Sequence, residues 1–298
     1  VLRPAPDAET AGLMLKRYQT DPWPNGWACW LEKEAINEQF PGVFAEHGGL
    51  WIQKGASVDM PALLKSLREW LGEAGVELLD TFVKAIQVHP STGNGRKIRL
   101  HTDSYPEVQD FDRLVVATGH KTRYLQLLEA GTEGADAEAP QDIAVREAEP
   151  ATRDLWPDGL SLHRVKGQML RVKFRNPPDL ECAISMRGYV APTSTAGEWG
   201  VGSTYEHEFA HEKPDIKARL KLLEILGRIL PGYERDVESV RGWAGVRTHR
   251  PPLREPLLEA HPSVPGLFAL TGFGSKGLIL GPYMARNLVS RLARNGFP

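Results

Sequence analysis

Residues 267–282 read LFALTGFGSKGLILGP. The first six are an apolar, strand-like run. Gly272, Gly274 and Gly277 then fall at G-x-G-x-x-G spacing, and the residues from Gly281 onward, GPYMARNLVSRLARNG, carry helical periodicity. Strand, glycine loop and helix are the first three parts of a dinucleotide-binding unit. The remaining parts, a second strand and an acidic residue about twenty positions on for the ribose, do not follow, because 21 residues remain after Gly277. As an adenine-ribose site the motif fails. Its local physics still holds: amides at a helix start, helped by Lys276, suit an anionic or electron-rich ligand. A tight packing turn is the equally simple alternative.

Composition bounds the rest. The 298 residues carry a net charge of −2, with 41% hydrophobic and 25% charged residues. A globular α/β chain of one large or two smaller domains is expected. The charge gives no global reason to expect nucleic-acid binding. No apolar run approaches a membrane span. Cys29 and Cys182 have no metal-ligand spacing, and cysteine usage points to the cytoplasm. Glu206, His207 and Glu208 are consecutive; on a strand they face alternately, so no metal site is expected.

Along the chain, PDAETAGLMLKRY predicts a short helix capped by Asp7, and Trp23, Trp27 and Trp30 predict a buried aromatic cluster. GGLWIQ reads as a strand. DMPALLKSLREWLGEAG reads as a helix with Asp59 as cap, Pro61 in the first turn, and Leu63, Leu64, Leu67, Trp70 and Leu71 on one face. VELL, FVKAIQVH, KIRLHT and DRLVVATGH read as strands. STGNGR (91–96) is a turn, and Leu114–Ala117 is apolar on both faces like a central parallel strand. The acidic stretch 131–150 reads as an exposed linker. From 161 onward, LHRVKGQMLRVKF, CAISMRGYVAPT and EWGVGSTYEHE suggest an antiparallel sheet. PDIKARLKLLEILGRILPG is an amphipathic helix, started by Pro214 and stopped by Pro231-Gly232.

Taken in order, GGLWIQKGASVDMPALLKSLREWLGEAGVELL, DRLVVATGH, VKGQMLRV, GYVAPTSTAGEWGVGSTYE, GWAGVRTHRPPL and LFALTGFGSKGLILGPYMARNLV resemble the D-amino-acid oxidase / glycine oxidase-like (DAO) family of FAD-dependent oxidoreductases. That family also includes sarcosine oxidases and the oxidase domain of the tRNA-modifying MnmC enzymes. The resemblance covers about residues 42–298. It implies an α/β (α+β two-domain) fold: a glutathione-reductase-type FAD-binding layer formed by 49–126 and 242–298, and a substrate domain with a mixed or antiparallel sheet in 127–241, joined by 1–48. Such proteins begin with a βαβ unit carrying the G-x-G-x-x-G for the ADP half of FAD. This sequence opens at Val1 without one, which sets up an expectation of a fragment or of a lost adenine anchor.

The resemblance also assigns residues. Arg247, in GVRTHRPP, matches the Arg that clamps a substrate carboxylate, a role suited to its bidentate fork. Tyr189, in RGYVAP, matches a Tyr that holds substrate or covers the flavin, with Arg187 and His249 nearby in sequence. Gly272, Gly274, Ser275, Lys276, Gly277 and Leu278 match a flavin-facing loop, with Lys276 tuning the flavin. Val83 matches a strand whose backbone reads adenine, and Ala117, Thr118 and Gly119 match a turn beside FAD. The implied reaction is oxidation of a C–N bond in a small amine or amino acid by hydride transfer to flavin N5, with O2 as acceptor. An MnmC-like oxidation of aminomethyl-uridine in tRNA, and an inactive fragment without stable FAD binding, are the alternatives.

Overall fold

The computed structural model describes residues 1–90, 96–103, 109–128, 155–156, 160–252 and 255–294. The expected turn at 91–96 and the acidic stretch 131–150 lie largely or wholly outside them. The elements run β1 (Leu2–Pro4), α1 (Ala8–Thr20), β2 (Ala28–Leu31), α2 (Lys33–Gln39), β3 (Gly49–Ile52) and α3 (Met60–Glu73). Next come β4 (Val83–Pro90), β5 (Arg96–Thr102), β6 (Gln109–Phe111), β7 (Leu114–Val116), a 3-10 helix (Gly119–Tyr124) and β8 (Gln126–Leu128). Then follow β9 (His163–Phe174), β10 (Ile184–Ser185), β11 (Tyr189–Pro192), β12 (Glu198–Gly202), α4 (Ile216–Ile229) and β13 (Val237–His249). The chain closes with β14 (Leu257–Ala260), β15 (Leu267–Thr271) and α5 (Gly277–Arg294).

The chain divides into two compact units, Val1–Leu78 with Lys166–Gly245, and Leu79–Val165 with Val246–Pro298. This division places β3 and α3 with the first unit, and it falls inside β9 and β13. The first unit is built on an eight-stranded sheet of order β13-β9-β12-β11-β10-β1-β3-β2. Its β9–β12–β11–β10 run is antiparallel, and β1 joins β10 in parallel. Alternation along β9 and β12 sends Leu170, Val172, Trp199 and Val201 to the face that α4 covers, where Leu222, Leu226 and Ile229 complete the core. Helix α4 starts two residues past the expected Pro214, because the Asp215 carboxylate caps it by accepting from the Ala218 N–H at 2.9 Å. Asp7 caps α1 in the same way through the Thr10 N–H at 2.8 Å.

Three local expectations change. VELL is not a strand; 76–79 has no ladder partner and Val76 is exposed. The tryptophan cluster is not buried: Trp23 and Trp27 are both exposed, and Trp30 is half-buried on β2. Helix α3 forms as expected, with Asp59 accepting from the Ala62 N–H at 3.3 Å, but Leu64, Leu67 and Trp70 on its apolar face are exposed. Asp59 also accepts from the Ser194 hydroxyl at 2.7 Å and the Ser194 N–H at 3.1 Å, and these bonds hold its carboxyl below the usual range.

The second unit has two sheets, β6-β5-β4-β8 and β14-β15-β7. Its core joins them: Ile86 and Ile98 from the first, Val116, Leu267 and Ala269 from the second, with Leu155 and Trp156 packed alongside. Strand β7 pairs with β15 in parallel, in the register Val116↔Ala269. Among the described residues β7 has this one partner, so it forms a sheet edge rather than the expected centre.

Candidate active site

The parallel pairing of β7 and β15 decides where a ligand can sit. Parallel strands finish on the same side, so the turn after Val116 and the turn after Thr271 open next to each other. Ligands in open α/β sheets bind outside such carboxyl ends. Ala117, Thr118 and Gly119 form the first turn. It is held by the Thr118 and Thr122 hydroxyls at 2.9 Å, and the Thr122 hydroxyl also donates to the Gly119 carbonyl at 2.9 Å.

The second turn is the glycine loop. Gly272 and Gly274 sit at φ 77° and 54°, a left-handed backbone that costs other residues about 1–2 kcal/mol. A Cβ at either would meet nothing closer than 3.6 Å, so conformation and open approach require glycine here, not neighbouring atoms. The Gly274 N–H donates to the Thr248 carbonyl at 2.7 Å, Phe273 forms a bridge with His249, and the Thr248 and Thr271 hydroxyls lie 3.4 Å apart. The loop is thus tied to the end of β13, which carries half-buried Arg247. Bonds from Lys276 N–H to Phe273 O (2.9 Å), and from Ile279 and Leu280 N–H to Lys276 O, start α5 at Gly277, four residues ahead of the expected Gly281. The Gly277 and Leu278 amides open the helix with no carbonyl four residues back to bond, and Ser275, Lys276, Gly277 and Leu278 are exposed. Two glycine turns, an open helix start and Lys276 fit a planar, electron-rich cofactor edge that takes backbone hydrogen bonds.

Of the residues singled out in the sequence, the structure gathers Ala117–Gly119, Arg247, His249 and Gly272–Leu278 in one unit at the carboxyl ends of β7, β13 and β15. Val83 belongs to the same unit but opens β4 in its other sheet. Tyr189 belongs to the first unit. There its ring lies flat over Gly202, where a Cβ would fall 2.5 Å from the ring, and its hydroxyl meets the Met169 sulfur at 3.9 Å. Arg187 pairs with Asp7 at 2.7 Å, and His249 packs edge-on against His163 at 5.0 Å. No cluster of metal-ligand type exists among the described residues.

Two features carry no motif. In the first unit, Lys166 is 1% exposed; its ammonium donates to Asp215 at 3.0 Å and lies 3.7 Å from Glu206. Gln168 bonds both acids. Lys166 and Gln168, polar at the even positions of β9 that continue as apolar Leu170, Val172 and Phe174, were the available signal. In the second unit, a cavity of about 410 Å³ lies against the 3-10 helix and Trp156.

A parallel strand pair with two glycine turns and a helix start at its carboxyl end is the kind of place at which nucleotide cofactors bind in open α/β sheets. The chain belongs to the DAO family, FAD dependent oxidoreductases, whose family model matches residues 1–291. Among curated proteins it is 26% identical over 312 residues to the tRNA 5-methylaminomethyl-2-thiouridine biosynthesis bifunctional protein MnmC of Thiobacillus denitrificans, with 100% of this chain and 43% of that protein covered. The MnmC of Cupriavidus metallidurans is 24% identical, with 93% and 40% covered. The chain therefore spans about two fifths of the length of these relatives. Among solved structures it resembles glycine oxidase from Geobacillus kaustophilus, with a TM-score of 0.70, 22% identity, and 100% of this chain and 71% of that one covered. That likeness is one of fold: mixed α/β with a glycine oxidase-type FAD-binding layer.

Proposed function

We propose that the chain oxidises a C–N bond of a small amine or amino acid, with the second unit carrying the cofactor and the first contributing to substrate selection. The observation that carries this reading is the direct bond between the Arg247 strand and the glycine loop, Gly274 N–H to Thr248 O at 2.7 Å. It ties a guanidinium suited to a carboxylate to a loop suited to a flavin edge. Arg247 binds the substrate carboxylate through its two-pronged fork and fixes the orientation of the α-carbon. The first amides of α5 and the Lys276 ammonium supply positive potential where negative charge builds up on the cofactor side. Tyr189, laid across Gly202, offers a phenol of set direction in the first unit. FAD, when bound, supplies the chemistry: it takes up a hydride equivalent and passes the electrons to O2. The amine must enter uncharged, and the imine product hydrolyses in water to a carbonyl compound and an amine or ammonia. With both cysteines free, we assign the protein to the reducing cytoplasm.

A second reading has its own support. The curated relatives reported above are MnmC proteins, whose name places their chemistry on a modified uridine of tRNA. In that reading the C–N bond belongs to an aminomethyl group on the base. A peroxidase-coupled assay of the FAD-supplemented chain separates the two. Peroxide release from sarcosine or glycine, with KM raised by Arg247→Ala, supports the small-amine reading. Turnover of an aminomethyl-uridine nucleoside or tRNA, with no turnover of the free amino acids, replaces it with the second.

A further inference from the structure

In the first unit, α4 covers one face of the eight-stranded sheet, and the opposite face carries side chains laid flat on glycine. Tyr189 and Met169 both stand opposite Gly202 in the ladder, so the three share a face. Leu170, the next residue on β9, packs into the α4 core, which makes this the other face. A Cβ at Gly202 would fall 2.5 Å from the Tyr189 ring, and one at Gly200 would meet the Met169 methyl at 3.4 Å. The Tyr189 hydroxyl meets the Met169 sulfur at 3.9 Å.

Trp243 extends this surface. Its strand, β13, lies next to β9. A Cβ at Gly242 would meet Pro214 Cβ at 3.2 Å and Leu170 Cδ2 at 3.9 Å, on the α4 side. Neighbours on a strand point to opposite faces, so Trp243 stands on the face of Met169 and Tyr189. Its indole folds along the strand over Gly245, where a Cβ would fall 2.5 Å from Cη2. Glycine beneath sets the tilt of the ring, yet Trp243 is 60% exposed. One side of the indole rests on the strand and the other is open.

The next groups on this face along β9 and β12 are Arg171 and Glu198, which hold each other at 2.5 Å, with Asp59 at 3.7 Å from the guanidinium. These charges already have partners. What the face offers beside them is flat: an indole, a phenol ring and a thioether. Planar conjugated rings stack on such a surface whatever substituents they carry.

We propose that Trp243 is a specificity-determining residue, and that the favoured substrate carries its amine on a planar conjugated ring, an aryl group or a nucleobase, which stacks on the indole. This rests on the reading that the chain oxidises an amine; it adds the class of group to which that amine is attached.

The test uses the FAD-saturated chain with N-benzylglycine and aminomethyl-uridine, which distinguish the two kinds of ring, and with sarcosine as the ringless reference. Peroxide release gives kcat/KM, and calorimetric titration gives the Kd of each ring probe without turnover. At least one ring probe should exceed sarcosine in kcat/KM by about tenfold or more. Trp243→Ala should cut that preference about tenfold, chiefly through KM, and Trp243→Phe should restore it to within about threefold. Melting temperature reports folding, and Trp243→Leu, apolar but without a π face, carries the test if Trp243→Ala does not fold. The proposal is overturned if neither ring probe is preferred, if the preference is the same in the folded Ala or Leu variant, or if Trp243→Phe is as impaired as they are. Should no amine turn over, sarcosine included, the oxidase reading fails by itself. The Kd values then decide the stacking: weakening in Trp243→Ala but not in Trp243→Phe upholds it, and no weakening overturns it.

Discussion

Replacing Asp215 by Asn removes one charge and nothing else in shape. The Asp215 carboxylate serves two masters with two oxygens. Oδ1 accepts from the Ala218 N–H at 2.9 Å and caps α4; Oδ2 accepts from Lys166 at 3.0 Å and from Gln168 at 2.5 Å. Asn has one acceptor oxygen, so it can cap the helix or hold the lysine, but not both. Losing the cap costs about 1 kcal/mol. Leaving a buried ammonium short of a partner costs about 3–5 kcal/mol in full, reduced here because Glu206 remains at 3.7 Å. We expect a net loss of about 3 kcal/mol, which for a unit of about 160 residues lowers its melting temperature by about 6–12 °C. Urea unfolding followed by tryptophan fluorescence, together with calorimetry, measures both.

Lys166→Met should cost less than half as much, since Asp215 keeps Ala218, Gln168 and water. Combined with Asp215→Asn it should recover at least about 1.5 kcal/mol of the single-variant loss. The pH dependence has a fixed sign. The Ala218 amide first, and then Gln168 and Lys166, hold the Asp215 carboxyl down from its ordinary 3.8 to about 2. A lowered carboxyl contributes stability that is complete above the ordinary value and is lost as pH falls toward about 2. The gap between the unaltered chain and Asp215→Asn should therefore be flat through neutral pH and close in acid. A variant within about 0.5 kcal/mol of the unaltered chain, or a gap that widens in acid, refutes the reasoning.

The buried His261 imidazole accepts from the Ser263 and Val264 N–H groups at 3.2 and 3.0 Å and donates to the Leu155 carbonyl at 2.7 Å, so His261→Ala should cost about 2–4 kcal/mol in urea unfolding, and a loss below about 0.5 kcal/mol would mean the imidazole does not hold these groups. Gly274→Ala has room for its methyl, 3.8 Å from His249 Cβ, but not the backbone; stability should fall by about 1–2 kcal/mol and FAD affinity should fall with it, read by flavin fluorescence titration. Unchanged FAD affinity would remove the loop from the cofactor site. Gly202→Ala would place a methyl 2.5 Å from the Tyr189 ring; it should displace that ring, cost about 1–3 kcal/mol, and raise KM as Tyr189→Ala does, whereas a KM that moves in only one of the two variants would argue against a substrate role for the phenol.

Several elements of the fold could be read directly from the residues. Asp7 before α1, Asp59 and Pro61 at α3, and the Pro231-Gly232 stop after α4 are local signals, and each did locally what its chemistry requires. The glycine loop was legible for the same reason, because φ 77° and 54° are a demand on backbone alone. What stayed hidden depends on long-range pairing. Nothing in LVV and LFALT states that β7 and β15 run in parallel, yet that pairing brings Ala117–Gly119 beside Gly272–Gly274. VELL looked like a strand because it is apolar, but a strand needs a ladder partner, and none pairs with it. The tryptophans at 23, 27 and 30 looked like core because they are large, and size does not place a residue inside. The Lys166–Asp215 pair joins residues 49 apart, so only the fold reveals that the strand lysine and the helix cap share a charge.

The central claim, a carboxylate-clamping FAD oxidoreductase site on β13 and the glycine loop, is tested most directly by anaerobic mixing. The FAD-saturated chain is mixed with sarcosine or glycine, and the visible flavin absorbance is followed in parallel for the unaltered chain and for Arg247→Ala. The account predicts bleaching that saturates with substrate and a half-saturation concentration at least about a hundredfold higher in Arg247→Ala, the size expected for losing a bidentate charged pair. Bleaching by these amino acids with the same concentration dependence in both proteins, or no bleaching by either in the unaltered chain, would contradict it.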